Sequence, residues 1–285
     1  MNRTLNIGNI KVSNDLPLTL IAGPCMMENR DMLMRSTEAL VKITSDLNIP
    51  FILKSSFDKA NRTSLQSARG LGLDAGLKVF DEVKKTFGCL VLTDVHESHQ
   101  CATIAKVVDV LQIPAFLCRQ TDLLVAAAKT GKAIHVKKGQ FLAPWDMKNV
   151  CKKISDSGNE NIMLCERGAC FGYNRLVSDM VSLKTMKEFG YPIIFDATHS
   201  VQEPGGLGNA TGGKRENVEL LARAAVSVGV AGIFIETHFD PDNAPCDGPN
   251  MIPLGLLRDF LISIKKFDEL AKKTPYTNMD YHKNR

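Results

Sequence analysis

The feature that most constrains this chain is a series of short apolar segments, each followed by a polar turn and a helical pattern. Seven of the eight segments are predominantly apolar and lack the alternation of a half-exposed strand. Uniformly apolar strands are buried on both faces, and strands joined by helices run parallel. The predicted strands are residues 18–22, 51–53, 89–92, 108–111, 133–136, 161–164, 193–195 and 232–235.

Apolar residues at three- and four-residue spacing predict a helix after each strand. The predicted helices are residues 29–47, 73–87, 100–107, 121–129, 145–154, 177–189, 216–228 and 254–272. Eight such units closing on themselves give an α/β fold, a (β/α)8 TIM barrel, and 285 residues suit one barrel. No linker or composition break divides the sequence, so we predict a single domain over residues 1–285.

Two further segments are predicted to cover the ends of this barrel. Short apolar and polar steps around Gly8-Asn9 predict an N-terminal β-hairpin within residues 1–14, which would cap the bottom of the barrel. Residues 202–215 are rich in glycine and lie between the seventh strand and its helix. We interpret them as a mobile flap over the opposite face, with a flexible spacer as the alternative.

Charge and composition restrict the partners. The net charge of +4 and pI of about 8.6 are mildly basic, short of the profile of a nucleic-acid-binding protein. No apolar run reaches membrane-spanning length, and the amino terminus lacks the apolar segment of a signal peptide. Eight cysteines are scattered without a C-x-x-C pair, which is typical of free thiols in a reducing compartment. We therefore expect a cytoplasmic protein without nucleic-acid or membrane partners.

Cationic residues follow several of the predicted strands. In this fold all carboxyl ends of the strands point to one face, where active sites form. Cations gathered there would repel one another unless two phosphates, or a phosphate and a carboxylate, filled the space. A solvated basic loop is the alternative interpretation. We call these residues the cation group: Lys54, Lys59, Arg62, Lys137 and Arg167.

A second set of side chains follows strands one, seven and eight, which are neighbours in a closed barrel. We call Cys25, His199, Glu236 and Asp247 the four-residue cluster. A thiolate, an imidazole and two carboxylates suit Zn²⁺, Fe²⁺ or Mn²⁺. A buried structural cysteine and a hydrogen-bonded histidine are the alternative. Position alone leaves three more histidines near strand ends open as ligands: His96, His135 and His238.

Five segments carry a resemblance to a known family. They are KSSFDKANR (54–62), TDVHE (93–97), QIPAFLCRQTD (112–122), VKKGQF (136–141) and FDATHS (195–200). Together they resemble the Kdo-8-phosphate synthase family of lipopolysaccharide biosynthesis. The resemblance implies a homotetramer of (β/α)8 barrels that condenses phosphoenolpyruvate with D-arabinose 5-phosphate and water, releasing phosphate.

The resemblance also implies roles for individual residues. Phosphoenolpyruvate would be held by Lys54, Lys137 and Arg167, with Gln112 and the backbone around Ala115. The pentose phosphate would be held by Lys59, Asn61, Arg62 and Ser64, with Asp94 also in contact with substrate and Arg119 reaching in from a neighbouring subunit. The residues expected to act in catalysis are Lys54, Lys59, Lys137, His199 and Asp247.

The same family has a metal-dependent branch with cysteine at the position of Cys25 and a metal-independent branch with asparagine there. This chain therefore resembles the metal-dependent branch, with a divalent metal (Zn, Fe or Mn) as cofactor. One segment departs from that pattern, because Cys246-Asp247-Gly248 resembles the metal-independent branch. The prediction of a metal depends on Cys25 alone.

Three other functions are alternatives to this one. The related 3-deoxy-arabino-heptulosonate 7-phosphate synthase would carry a K-P-R-T segment where this chain has Lys54-Ser-Ser-Phe. A Schiff-base aldolase would use Lys54 or Lys137 as its nucleophile. A non-catalytic phosphosugar-binding barrel would keep the cations but would have no use for the four-residue cluster.

Overall fold

Eight parallel strands form the centre of the computed structural model, which describes residues 2–206 and 211–275. Every side chain in seven of these strands is buried, as uniformly apolar segments predict. The strands are β1 (Thr19–Gly23), β2 (Phe51–Lys54), β3 (Leu90–Asp94), β4 (Val110–Ile113), β5 (Ala133–Lys137), β6 (Ile162–Glu166), β7 (Ile193–Asp196) and β8 (Gly232–His238).

The strands pair in chain order, and the sheet closes on itself. Each strand from β1 to β7 is hydrogen-bonded to the next, while β8 pairs with both β7 and β1. All of these pairings are parallel. Gly232 is needed where β8 meets β1, since a Cβ there would lie 2.3 Å from the carbonyl oxygen of Thr19. The closed eight-stranded barrel confirms the predicted fold class.

A helix follows each strand and covers the outer face of the barrel. The helices are α1 (Arg30–Leu47), α2 (Leu73–Phe87), α3 (Ser98–Ile104), α4 (Thr121–Ala128), α5 (Met147–Ser155), α6 (Met180–Lys187), α7 (Val218–Ser227) and α8 (Leu254–Lys273). The first of them is capped by Asn29, whose side chain accepts a hydrogen bond from the amide of Met32. It ends at Asn48, which adopts the left-handed conformation common at helix ends.

The amino-terminal hairpin packs against the bottom of the barrel. Its strands, Leu5–Ile7 and Ile10–Val12, are antiparallel. Their buried side chains join one cluster with the inner residues of the barrel strands. That inner layer consists of Ile21, Ile52, Leu92, Val110, Ala133, Met163, Ile194 and Phe234, with Cys165 and Ala231 beside them. The hairpin thus seals the barrel opposite the face on which the polar strand ends gather.

The strands extend further toward their carboxyl ends than the sequence predicted. Lys54, Asp94 and Lys137 are the last residues of their strands, where we had expected polar turns. Ladder pairing continues through them, with Lys54 opposite Leu92 and Lys137 opposite Cys165. A change from apolar to charged residues suggested the end of a strand, but these side chains remain buried because carboxylates or other polar groups face them.

Several helix boundaries were also predicted incorrectly. The helix expected from residue 177 begins at Met180, because Leu176–Val177 instead pairs with Ala169–Cys170 in a small hairpin. The helix expected from residue 145 is preceded by a 3₁₀ turn at Pro144–Asp146. The third helix begins two residues earlier than predicted, at a capping box formed by Glu97 and Gln100.

The glycine-rich segment 202–215 lies between β7 and α7, as predicted. Its ends form a short antiparallel pair, Gln202–Glu203 with Gly212–Gly213. The centre of the expected flap, residues 207–210, lies outside the described residues. Among the helices that are described, none combines the length and the apolar character needed to cross a membrane.

Candidate active site

The carboxyl end of the barrel brings the polar strand ends together. Gly23 closes β1 where that strand passes the end of β2, and a Cβ there would lie 1.9 Å from the carbonyl oxygen of Lys54. Only glycine permits this close approach. The chain then turns so that Cys25 lies buried over the mouth, with its carbonyl oxygen 3.0 Å from the Lys54 ammonium.

The four-residue cluster is assembled as two overlapping triads. His199, Glu236 and Asp247 have ligand atoms within 4.8 Å of one another. Cys25 belongs to the second triad, with Asp247 and its neighbour Cys246, again within 4.8 Å. Asp247 is common to both triads, and its carboxylate lies 3.3 Å from the Cys25 sulfur. The structure therefore brings the predicted residues together and adds one thiol that the sequence prediction had not included as a ligand.

His199 has acidic partners on both sides of its ring. Its Nδ1 lies 2.7 Å from Asp196 Oδ2 at the end of β7. Its Nε2 lies 3.6 Å from Glu236 Oε2 and 3.6 Å from Asp247 Oδ2. An imidazole held in this way is oriented through one nitrogen and presents the other to the cluster.

Charge in the cluster is balanced by the surrounding cations. Burial alone would raise the pKa of Glu236, but Lys54, His199 and Lys59 together lower this pKa to about 2. Burial is likewise outweighed at Asp247, where the hydrogen bond and charge of His199 hold the pKa well below its usual range. Both carboxylates are thus ionised at neutral pH. In contrast, burial and then the contact with Cys246 raise the pKa of the Cys25 thiol.

One orphaned atom indicates that the cluster fits a metal ion. Glu236 is fully buried, yet its Oε2 has no hydrogen-bond partner among residues 2–206 and 211–275. A buried carboxylate oxygen without a partner is costly unless a cation or ordered water fills the space. The neighbouring donors are a sulfur, an imidazole nitrogen and a second carboxylate, which are ligands for Zn²⁺ and related divalent ions. The residues present fit such an ion.

Two lysines of the cation group surround Glu236. Lys54 forms a buried ion pair with its Oε1. Lys59 lies in the following loop, with its ammonium 4.0 Å from the same oxygen. Burial would lower the pKa of Lys59, but the charges of Cys25 and Glu236 raise this pKa well above its usual value. Lys59 is therefore held as a cation beside the cluster.

Lys137 lies at the mouth as the last residue of β5. It forms a buried ion pair with Asp196, and its ammonium lies 3.4 Å from His199 Nδ1. It also lies 3.6 Å from the ring centre of Phe234, whose face attracts a cation. Phe234 is fully buried on β8 and forms the floor of the site.

The two arginines contact residues that adjoin the four-residue cluster. Arg62 donates hydrogen bonds to the Cys246 sulfur and to the Pro245 carbonyl, both at 2.8 Å. Arg167 is buried and donates to Gln202 Oε1 at 2.7 Å. The amide of Gln202 in turn lies 3.3 Å from Asp247. All five cations therefore converge on one mouth, which excludes the interpretation of a solvated basic loop.

The other predicted site residues lie at strand ends and in loops around the four-residue cluster. Gln112 and Asp94 are buried at neighbouring strand ends, where their side chains contact His135 and His96, respectively. Ala115 begins a 3₁₀ turn just beyond β4. The remaining three lie in loops that are partly or fully exposed: Asn61, Ser64 and Arg119.

The three histidines left open as ligands lie outside both triads, within the part of the chain that the structure describes. His96 pairs with Asp94 at 3.0 Å, and His238 lies 3.0 Å from Glu28. His135 stacks on Phe234 with ring centres 6.0 Å apart.

Sequence reasoning missed four residues of the site. Asp196 directly follows an apolar run, as Lys54 and Lys137 do, so its position alone could have identified it. The other three residues gave no such signal. One is an apolar residue inside the barrel and two lie in loops, and each joins the site only because distant segments of the chain meet there. They are Phe234, Gln202 and, as a partner of Cys25, Cys246.

His135 leads to a prediction about stability. Burial, aided by the nearby charge of Lys137, lowers its pKa to about 3. The unfolded chain, with an ordinary histidine pKa of about 6.5, therefore binds more protons than the folded chain between these values. We expect this residue to reduce the free energy of unfolding as pH falls below 6.5, by up to about 1.4 kcal/mol per pH unit.

Urea unfolding of the wild type and of His135→Gln at pH 6.5, 6.0 and 5.5 checks this prediction. The variant is expected to show the shallower pH slope, whatever its absolute stability. Parallel slopes would mean that His135 titrates alike in both states.

Comparisons with known proteins agree over nearly the whole chain. A family model described as the DAHP synthetase I family matches residues 2–273. A 2-dehydro-3-deoxyphosphooctonate aldolase from Rickettsia bellii (strain OSU 85-389) is 63% identical over 273 residues, 96% of this chain and 100% of the relative. Relatives of the same name from Bartonella quintana (strain Toulouse) and Brucella ovis are each 62% identical, covering 95% of this chain and 98% of the relative.

Proposed function

Because this chain belongs to the DAHP synthetase I family and is similar to its 2-dehydro-3-deoxyphosphooctonate aldolases, we propose that it condenses phosphoenolpyruvate with D-arabinose 5-phosphate and water. The products are 3-deoxy-D-manno-octulosonate 8-phosphate and inorganic phosphate, and the reaction supplies lipopolysaccharide biosynthesis. One observation carries the proposal: the cation group and the four-residue cluster share a single barrel mouth. That arrangement suits two anionic substrates that must meet at one reacting centre.

The two substrates divide the cations between them. Phosphoenolpyruvate binds Lys54, Lys137 and Arg167, with Gln112 and the backbone around Ala115. The two lysines pair with Glu236 and Asp196 in the structure, so the anionic substrate adds to or exchanges with those ion pairs. D-arabinose 5-phosphate binds the loop that follows β2, through Lys59, Asn61, Arg62 and Ser64. Asp94, at the end of β3, also contacts this substrate.

The chemistry needs positioning more than a protein nucleophile. Carbon 3 of phosphoenolpyruvate forms the new bond to the aldehyde carbon of the pentose, and the aldehyde oxygen takes a proton. Water adds to carbon 2, and the bond between carbon 2 and the bridging oxygen breaks as phosphate leaves. The two protons of that water end on the former aldehyde oxygen and on the released phosphate, while Asp196 holds His199 Nδ1 at 2.7 Å and so directs Nε2 toward the cluster.

We propose that a divalent metal, Zn²⁺, Fe²⁺ or Mn²⁺, is held by the four-residue cluster. When bound, the ion would orient the aldehyde or lower the pKa of the attacking water. The support within this chain is the donor set and the unpartnered Oε2 of Glu236. Cys25, in place of the asparagine of the metal-independent branch, favours the metal-dependent alternative.

Chelation tests the metal assignment in the wild-type protein. We expect treatment with a strong chelator, followed by its removal, to reduce turnover to below about one-tenth, because losing an ion costs at least as much as disturbing its surroundings. Adding back Zn²⁺, Fe²⁺ or Mn²⁺ should restore turnover, with elemental analysis reporting the metal bound. Full activity in the metal-free protein would contradict the assignment.

Phosphate release separates the proposed activity from the alternatives. We expect release that depends on both phosphoenolpyruvate and D-arabinose 5-phosphate, and at least about tenfold slower release with erythrose 4-phosphate. The reverse preference would indicate a heptulosonate synthase. No release with any tested metal present would indicate a phosphosugar-binding barrel. A covalent adduct trapped by borohydride would indicate a Schiff-base aldolase.

We propose further that the protein is a cytoplasmic homotetramer. None of the eight cysteines forms a disulfide in the structure, consistent with a reducing compartment. Large apolar side chains exposed beyond the barrel mouth support self-association, among them Phe116, Phe141, Trp145, Phe171 and Tyr173. Arg119 is exposed beside this region and would enter a neighbouring subunit's site. Sedimentation measures the assembly state directly.

A further inference from the structure

Cys246 lies next to Cys25 of the four-residue cluster, yet neither the proposed substrate binding nor the proposed metal binding involves it. Its sulfur is 2.9 Å from that of Cys25, and both thiols are buried. Together with Asp247 the two cysteines form a triad whose ligand atoms all lie within 4.8 Å of one another. Donor atoms around a single Zn²⁺, at about 2.0 to 2.3 Å from it, are themselves separated by no more than about 4.6 Å. The triad is therefore nearly compact enough to hold one ion.

The backbone turns in an unusual way to present two consecutive side chains to Cys25. Asp247 has a φ of +52°, in the left-handed region that residues other than glycine rarely adopt. This turn leaves both the Cys246 sulfur and the Asp247 carboxylate in contact with the Cys25 sulfur. Unfavourable backbone conformations of this kind persist where the surrounding structure or function requires them.

Independent support comes from Glu236 on the other side of Asp247. Its fully buried Oε2 has no hydrogen-bond partner within residues 2–206 and 211–275. The two triads share Asp247, so an ion held by that carboxylate could draw further ligands from both triads. The available donors then include two sulfurs, one imidazole nitrogen and two carboxylates.

The surrounding charges can accommodate a second thiolate. Two thiolates and two carboxylates exceed the charge of a divalent ion. Arg62 donates a hydrogen bond to the Cys246 sulfur at 2.8 Å, and the Lys59 ammonium lies 4.0 Å from Glu236. These cations offset the excess negative charge at short range.

We propose that Cys246 is a second thiolate ligand of this metal centre and that it biases the centre toward thiophilic ions, Zn²⁺ above Mn²⁺ and Fe²⁺. Sulfur ligands select softer ions, while carboxylate and water ligands suit Mn²⁺. Cys246 therefore determines metal selectivity. The inference rests on the metal centre of the proposed function and adds a ligand to it.

Cobalt substitution in the reduced, full-length protein tests this ligand without requiring turnover. Bound Co²⁺ gives an absorption band for each thiolate that it contacts. Cys246→Ser is expected to reduce that absorbance per bound Co²⁺ to about half, since one of two sulfur ligands remains. Cys25→Ser combined with Cys246→Ser should abolish the band. Cys151→Ser, which removes a buried thiol of α5, is the matched control and should leave the band unchanged.

Chelator competition supplies the second measurement. Cys246→Ser is expected to weaken Zn²⁺ binding by at least about tenfold while changing Mn²⁺ binding by less than about threefold. Circular dichroism melting confirms that each variant is folded, and Cys246→Ala, which introduces no oxygen donor, should weaken Zn²⁺ at least as much.

The possible failures can be told apart. An unchanged cobalt band in folded Cys246→Ser would overturn the role of Cys246 and leave the metal centre itself intact. If the wild type takes up no Co²⁺, both the metal centre and this inference fail. Phosphate release from the two substrates is assayed separately and decides the condensation in either case.

Discussion

Cys25→Ala is expected to abolish stoichiometric metal binding and to reduce kcat by at least about 100-fold. Removing groups that merely support a ligand costs about 10- to 100-fold in metal affinity or activity, so a direct ligand should cost no less. The thiol is buried and lies 3.3 Å from Asp247, within the proposed ligand set. Elemental analysis and steady-state kinetics with added Zn²⁺, Fe²⁺ or Mn²⁺ measure both effects.

Two companion variants make this result interpretable. Cys101→Ala removes another buried thiol, on α3, and should keep its metal and its activity. Cys25→Asn introduces the residue of the metal-independent branch, and we expect partial activity that no longer responds to a chelator. A Cys25→Ala protein with wild-type turnover in chelator would show that the thiol is irrelevant to the reaction.

Arg62→Ala is expected to raise the KM for D-arabinose 5-phosphate by about 10- to 100-fold, with a much smaller change for phosphoenolpyruvate. A charge-assisted hydrogen bond contributes about 1.5 to 3 kcal/mol, and each 1.4 kcal/mol corresponds to about tenfold. Arg62 reaches the segment that carries Asp247, where it contacts Cys246 and Pro245. Its loss should therefore weaken one substrate selectively.

Arg69 provides the matched control for this variant. It lies in the same loop but pairs with Asp58 at the surface, at 2.6 Å. Such exposed pairs contribute little, so Arg69→Ala should change both KM values by less than about threefold. Metal content is measured in parallel, because Arg62 also touches the Cys246 sulfur. Equal effects of Arg62→Ala on the two substrates would mean that the phosphates are assigned to the wrong cations.

The fold was largely predictable from sequence because strands that are buried on both faces consist mainly of apolar residues. Residues 51–53 and 193–195 are uniformly apolar, and each lies in a fully buried strand. What the pattern could not fix was the carboxyl end of each strand. A charged residue such as Lys54 or Asp196 looks like a turn in sequence, whereas the partner that allows its burial comes from another strand.

The site residues that directly follow a barrel strand could be predicted from sequence. The contacts between residues of different loops could not be predicted to the same extent. Position in the barrel indicated that Cys25, His199, Glu236 and Asp247 would meet, and the structure connects them through Asp247 in two overlapping triads. The contact between Cys25 and Cys246 joins residues 221 positions apart. It depends on the left-handed turn at Asp247; the Asp247-Gly248 pair indicates a turn but does not specify which distant segment that turn meets.

The measurement that most directly tests the central claim follows the bridging oxygen of phosphoenolpyruvate. The substrate is labelled with ¹⁸O between carbon 2 and phosphorus, mixed with D-arabinose 5-phosphate and turned over by the wild-type, metal-loaded protein. We predict that the released phosphate carries the label and that one pentose phosphate is consumed for each phosphate formed. Unlabelled phosphate, or release that does not require the pentose phosphate, would contradict condensation at this barrel mouth.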